Sequence, residues 1–201
     1  MKNIYTLLSI LIISLTVYLS FDDLMPSSVK SIESTGFSFD NALNHLKVIS
    51  KEPHYTGSKY HQDVQNYIVN ELKKMGLETE IQNQVVLSSR RVGTNAANII
   101  GTIKGSRKGK SLVLLTHYDS SAHSSFGASD AGSGVVTILE GFRAFLLNNN
   151  TPVNDIHLVF TDAEEMGLLG AEAFVKNHKL IDNVGLVLNF EARGSGGPSY
   201  M

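Results

Sequence analysis

The sequence predicts an α/β domain built on a layered, mixed, mostly parallel sheet with helices on both faces, preceded by an N-terminal hydrophobic helix. Three observations predict it. From Ser111 onward, short apolar runs (SLVLLT, IHLVFT, VGLVLNF) alternate with stretches of helical periodicity at 134–147 and 168–177. Strands that are apolar throughout are covered on both sides, and an alternating strand–helix order builds a parallel, layered sheet. Upstream, Leu77–Leu87 and Ala97–Ile103 follow one another with no helical pattern between them, which points to an antiparallel edge. At the start of the chain, no charge occurs from Ile4 to Phe21.

That uncharged run follows Met1, Lys2 and Asn3 and is closed by Asp22 and Asp23. About 18 apolar residues lie near the lower limit for crossing a bilayer. The lysine ahead of them favours a cytoplasmic N-terminus with the remaining chain outside. A cleaved signal peptide has an equally short apolar core, but Tyr18, Leu19 and Phe21 fill the places where small residues precede a cleavage site. The expected organisation is a membrane anchor over 1–23, a linker over 24–37 containing Pro26 and several serines, and a domain over 38–201 on the non-cytoplasmic side of a membrane. Removal of the leader would instead make the domain secreted or periplasmic.

Within the domain, Ala42, Leu43, Leu46 and Ile49 recur at helical spacing behind a cap at Ser38 or Asp40. The segment KEPHYTGSK (51–59) reads as a loop because Pro53 and Gly57 oppose a helix. Val64, Tyr67, Ile68, Leu72 and Met75 mark a second amphipathic helix that Gly76 stops. At 201 residues and 42% apolar composition, the chain buries one core and is too short for two ordinary domains. A net charge of −2 with no Lys/Arg cluster argues against a nucleic-acid partner. Cysteine is absent, so a metal would be held by imidazole and carboxylate.

In α/β sheets, sites form at the C-terminal ends of the strands. Here SLVLLT ends in His117-Tyr118-Asp119, IHLVFT in Asp162-Ala163-Glu164-Glu165, and VGLVLNF in Glu191. Asp130 stands in the loop GASDAGSG between the first two. His117 offers a ring nitrogen to a metal, and Asp119, two residues on along an extended segment, lies on the same side to hold the other ring nitrogen. Asp130 has two oxygens with which to bridge two ions. Glu164 and Glu165 point apart, so one ligates while the other takes a proton from water. Gly127, Gly132 and Gly134 let the backbone turn closely beside the metals. Each residue also has an ordinary reading: Asp130 as a helix N-cap, the paired glutamates as solvated surface, Glu191 as a loop acid. Taken together and in strand order, they read as a metal site.

The segments THYDS, FGASDAGSGV and TDAEEMGLLGAEAF resemble those of the M28 family of zinc aminopeptidases and related exopeptidases. EPHYTGS and NFEARGSGGPSYM are similar to its membrane-bound vacuolar and endoplasmic-reticulum branch. The resemblance runs from about Phe39 to the end and implies two Zn2+ ions, a peptide substrate, and hydrolysis of N-terminal residues through a metal-bridging hydroxide. It implies His117 and Glu191 on one zinc, Asp119 orienting His117, Asp130 bridging, Glu165 on the second zinc and Glu164 as general base. Glu191 stands where many members place an aspartate. Arg193, two residues further on, is a candidate for contacting substrate. The family's last ligand, a histidine, is expected beyond residue 201, which marks the domain as incomplete. His157 reads as sheet interior and His178 as helix-end surface, while His54 is a candidate for the cleft. The alternatives are a non-catalytic M28-like binding domain and a glutaminyl-cyclase-like acyltransferase.

Overall fold

The computed structural model describes residues 2–24, 36–87, 91–123 and 125–192. Most of the expected linker lies outside them, as do Arg193 and the glycine-rich segment that follows it. The chain divides into two units, one comprising Met1–Lys30 with Arg193–Met201 and the other Ser31–Ala192.

In the first unit, the uncharged run forms helix α1 (Lys2–Leu24). Its segment Ile4–Phe21 has a mean hydropathy of 2.1 and none of it is buried. At a rise of about 1.5 Å per residue, α1 is about 35 Å long, enough to cross the hydrocarbon core of a bilayer.

The second unit runs α2 (Phe39–Ile49), α3 (Lys59–Lys74), β1 (Glu78–Leu87), β2 (Gly93–Ile103), β3 (Ser111–His117), α4 (Ser133–Leu147), β4 (Ile156–Thr161), α5 (Leu169–Asn177) and β5 (Val184–Asn189). Ser38 caps α2, its hydroxyl accepting the Asn41 N–H, and Ser58 caps α3 by accepting the His61 N–H. The strand order is β1-β2-β4-β3-β5. Strand β2 is antiparallel to both its neighbours, while β3 is parallel to β4 and β5, so four strands point one way and β2 opposes them. The expected antiparallel edge is the β1–β2 pair, and β2 begins four residues earlier than the apolar run alone suggests.

Side-chain alternation along the strands builds two layers of core. Ile99, Leu158 and Phe160 face α2, α3 and α4, meeting Ile49, Ile68, Leu72, Val135 and Leu139. Ile100, Val113 and Val159 face the other way, against Phe174 of α5. Gly101 lies on the first face, where an added Cβ would come within 3.0 Å of Leu72 and Leu77. The start of α2 is pinned to α4 by the buried Glu140, which accepts the Ser38 N–H at 2.7 Å and pairs with Arg143; Arg143 also donates to the Gly36 carbonyl at 3.0 Å. Strand β5 departs from the expectation of a covered strand. Among the described residues it pairs with β3 alone, and Leu186 (56% exposed) and Val187 (47%) remain open on its two faces.

This topology positions the site. The connection leaving β3 runs through α4 on one face, and the one leaving β4 runs through α5 on the other. Adjacent parallel strands whose connections part to opposite faces open a crevice at their C-terminal ends.

Candidate metal centre

Strand β3 lies between β4 and β5, and the three tips are level. His117 is in register with Thr161 of β4, and Leu115 with Asn189 of β5. Two further backbone bonds, Tyr118 N–H to the Thr161 carbonyl and Phe190 N–H to the Leu115 carbonyl, carry the pairing to the edge of the site. The central strand thus delivers the imidazole and its neighbours deliver carboxylates from either side.

His117 is buried, and both ring nitrogens face acidic groups. Nδ1 lies 3.0 Å from the main-chain carbonyl of Asp119 and 3.3 Å from its carboxylate. Nε2 lies 2.8 Å from Asp130 Oδ1, 3.6 Å from Glu191 Oε1 and 4.0 Å from Glu164 Oε2. With Nδ1 directed at Asp119 as a donor, Nε2 is the nitrogen left to face a cation.

Asp130 sits in a single turn, Ala128–Gly132, just before α4, with extended backbone at φ −110° and ψ 103°. It does not cap α4, whose N-cap is Gly132 with no side-chain bond; its carboxylate goes to His117 instead. Glycine is needed at three places in and around the turn, including Gly132, where a Cβ would meet the Gly127 carbonyl at 2.5 Å. Gly127 has φ +60°, and a Cβ there would meet the His54 ring at 2.7 Å; one on Gly134 would meet Thr116 Oγ1 at 2.4 Å. His54 is buried beneath this turn, its N–H donating to Ser120 Oγ at 2.9 Å, and burial lowers its pKa.

After β4, Ala163 adopts φ +54° and the chain turns sharply. The amides of Glu164 and Glu165 both donate to Asp119, at 3.0 and 3.3 Å, so one buried carboxylate holds the histidine strand and the glutamate turn together. Burial raises the Glu164 pKa; the His117 imidazole opposes this, and Glu191, Asp119 and Asp130 add to it. Glu165 is the more exposed of the two glutamates, and partial desolvation of its carboxyl, then the Asp130 charge, raises its pKa. Burial pulls the His117 pKa down, but the hydrogen bond and charge of Asp119, with Glu164 and Glu191, outweigh it and lift the value to about 9.

The donor set suits a divalent cation. One imidazole faces four carboxylates within 4.0 Å, a concentration of negative charge that a single proton does not offset. Donor atoms of His117, Asp130 and Glu191 all lie within 4.8 Å of one another. Ligands at about 2.1 Å from a tetrahedral zinc stand about 3.4 Å apart, close to the spacings seen from Nε2. Glu165 falls outside this compact group. Arg193 lies outside the described residues. Of the other histidines, His157 is buried and bonds Thr102 at 2.9 Å. His178 is less superficial than the sequence suggests, stacking on Phe174 and pairing with Glu80 with 8% of its side chain exposed. Sequence reading missed Thr56, His61 and Asp162, which interlock behind the glutamate turn; their only signal was the buried-strand ending at Asp162.

Fold and cluster together define an α/β domain that gathers candidate metal donors at its parallel strand tips. The model of peptidase family M28 matches residues 98–201, more than half of the chain, and the chain belongs to that family. A vacuolar membrane protease of Candida albicans is 31% identical over 206 residues, covering 100% of this chain and 24% of the relative. The chain thus spans about a quarter of the length of such relatives. Among solved structures, a Tannerella forsythia glutaminyl cyclase is 25% identical with a TM-score of 0.67, covering 80% of this chain and 63% of that one. A leucine aminopeptidase precursor from Bacteroides thetaiotaomicron is 25% identical with a TM-score of 0.63, over 77% and 61%.

Proposed function

We propose that the protein is a zinc-dependent exopeptidase, an aminopeptidase, held at a membrane by α1 with its catalytic domain on the non-cytoplasmic side. The observation that carries the reading is the convergence of His117, Asp130 and Glu191 within 4.8 Å, with Glu164 4.0 Å from the same imidazole nitrogen. His117, Asp130 and Glu191 would hold one Zn2+, and Asp130 with Glu165 would contribute to a second. The metal supplies Lewis-acid polarisation of the scissile carbonyl and acidifies water. Asp119 orients His117. Glu164, with its raised pKa, takes a proton from the attacking water and returns it to the leaving amine. Arg193 is assigned to substrate contact. The membrane assignment rests on the length of α1 and on relatives named as vacuolar membrane proteases.

The similarity to a glutaminyl cyclase supports a second reading, acyl transfer on an N-terminal glutamine. The two separate in one experiment on protein expressed from its full reading frame and purified in detergent. Leucyl-p-nitroanilide is hydrolysed with zinc and not with chelator, and Glu164→Gln lowers kcat by about 10²–10⁴-fold. An unchanged rate in that variant removes Glu164 as the base. Ammonia release from glutaminyl peptides without leucyl hydrolysis replaces the peptidase with the cyclase. Zinc uptake with neither activity makes the domain a binding module.

A further inference from the structure

Behind the site lies a buried polar cluster that the proposed mechanism does not use. Asp162, the first residue after β4, is fully buried. Its Oδ1 accepts the ring N–H of His61 at 2.8 Å, the hydroxyl of Thr56 at 2.9 Å and the N–H of Ala163 at 2.7 Å. Its Oδ2 accepts the Ala97 N–H of β2 at 2.9 Å. His61, in the first turn of α3, also stacks on Tyr118 with ring centroids 4.9 Å apart. Tyr118 stands between His117 and Asp119, and its hydroxyl donates to the Ala97 carbonyl at 2.9 Å and accepts from Gln65 at 3.2 Å. One histidine therefore grips the segment carrying His117 and the segment leading to Glu164.

We infer that His61 and Thr56 are positioning residues of the metal centre, acting through Asp162 on the Ala163–Glu165 turn and through Tyr118 on the histidine strand. The turn begins at Ala163 with a positive φ, a conformation unfavourable for a residue with a side chain and one that persists only where surrounding bonds over-determine it. Asp162 supplies such bonds, three of its four partners coming from the 51–58 segment, α3 and β2. Asp119 depends on the outcome, because it accepts the amides of Glu164 and Glu165 while facing His117 Nδ1. A turn released from Asp162 rotates those two amides away, and Asp119, His117 and the Glu164 carboxylate lose their common reference. A buried network of this kind is specific only while its members are all in place, and removing His61 or Thr56 takes away one of the three donors that fix Asp162 Oδ1.

This inference rests on the metal-site reading above, and its test separates the two. Thr56→Val removes the hydroxyl at nearly constant shape, and His61→Phe keeps a ring for Tyr118 but offers no donor. Thr56→Ser and His61→Gln restore donors at the same two places. In metal-free protein, backbone amide exchange at Glu164 and Glu165 rises in the first pair relative to β4 and stays at the parent level in the second. Zinc affinity, read by chelator competition, falls about tenfold or more in the first pair and within about twofold in the second. Unchanged exchange at both amides in Thr56→Val and His61→Phe overturns the inference. Equal losses in all four variants also overturn it, because they would reflect packing alone. If the parent protein takes up no zinc, the metal reading fails while the exchange contrast still decides the positioning role.

Discussion

Asp119 accepts the backbone N–H of Glu164 at 3.0 Å with the same oxygen that lies 3.3 Å from His117 Nδ1. One carboxylate thus contacts the ring on one strand and the turn that carries the proposed base, Glu164, on the next. Asp119→Asn removes the negative charge beside His117 and, with its amide oxygen kept at the shared position, presents an NH2 group where the other oxygen accepts the Glu165 N–H at 3.3 Å. Zinc affinity and kcat are each expected to fall about 10–100-fold, the range for groups that orient metal ligands. Isothermal titration with zinc and a kinetic run on the same preparation check it; parent-level values in both would free Asp119 of the role.

Gly134 and Gly141 make a matched pair on α4. A Cβ on Gly134 would lie 2.4 Å from Thr116 Oγ1 and 2.8 Å from the Phe190 carbonyl, whereas one on Gly141 meets nothing within 4 Å. Gly134→Ala must push apart α4, β3 and the segment entering Glu191, which is expected to destabilise by about 1–3 kcal/mol. Zinc affinity should drop with it, because the displaced carbonyl precedes a proposed ligand. Gly141→Ala is expected to stabilise by about 0.5–1 kcal/mol through helix propensity alone. Urea unfolding of the two variants gives the comparison.

The strand tips were legible because each apolar run stops abruptly at residues that bind protons and metals, and parallel register then brings the stops level. His117, Asp130 and Glu191 could be placed at one edge without coordinates for that reason. The Thr56–Asp162 and His61–Asp162 bonds could not, since they join residues 106 and 101 positions apart and leave no periodic trace. The exposure of β5 was hidden for a different reason. An apolar run of six residues looks the same in a covered strand as in an edge strand, and only pairing tells them apart. Asp130 was ambiguous between cap and metal donor, because both uses place an acid just before a helix; the direction of its carboxylate toward His117 removes the cap reading.

Helix α1 gives a prediction independent of the metal. Its uncharged segment, Ile4–Phe21, is 18 residues long, so it tolerates little loss of apolar length. Ile12→Arg puts a charge near the centre of the helix, where insertion is opposed by about 2.5–3.5 kcal/mol. The variant is expected to shift from the carbonate-resistant membrane fraction toward the soluble one, while Ile12→Val stays in the membrane. Equal retention of both would remove α1 as the anchor.

The final prediction concerns pH. In the metal-free protein the acids around His117 raise its pKa from 6.5 to about 9. Between those values the folded state binds more protons than the unfolded one, so stability conferred by the protonated ring is fully present below about pH 6.5 and is lost as pH rises through about 9. Glu164 and Glu165, also raised, act in the same direction at lower pH. On the proposed ligation by His117, zinc would reverse the trend at this residue, because a ligating imidazole must be neutral and binding expels its proton. The urea midpoint in chelator is therefore expected to fall from pH 6.5 to pH 9, while zinc affinity rises across the same window. At pH 7, titration in buffers of differing ionisation enthalpy should report close to one proton released from His117 per ion bound. His117→Gln should flatten the chelator profile over that window; a slope that survives the substitution would mean that other groups carry the linkage.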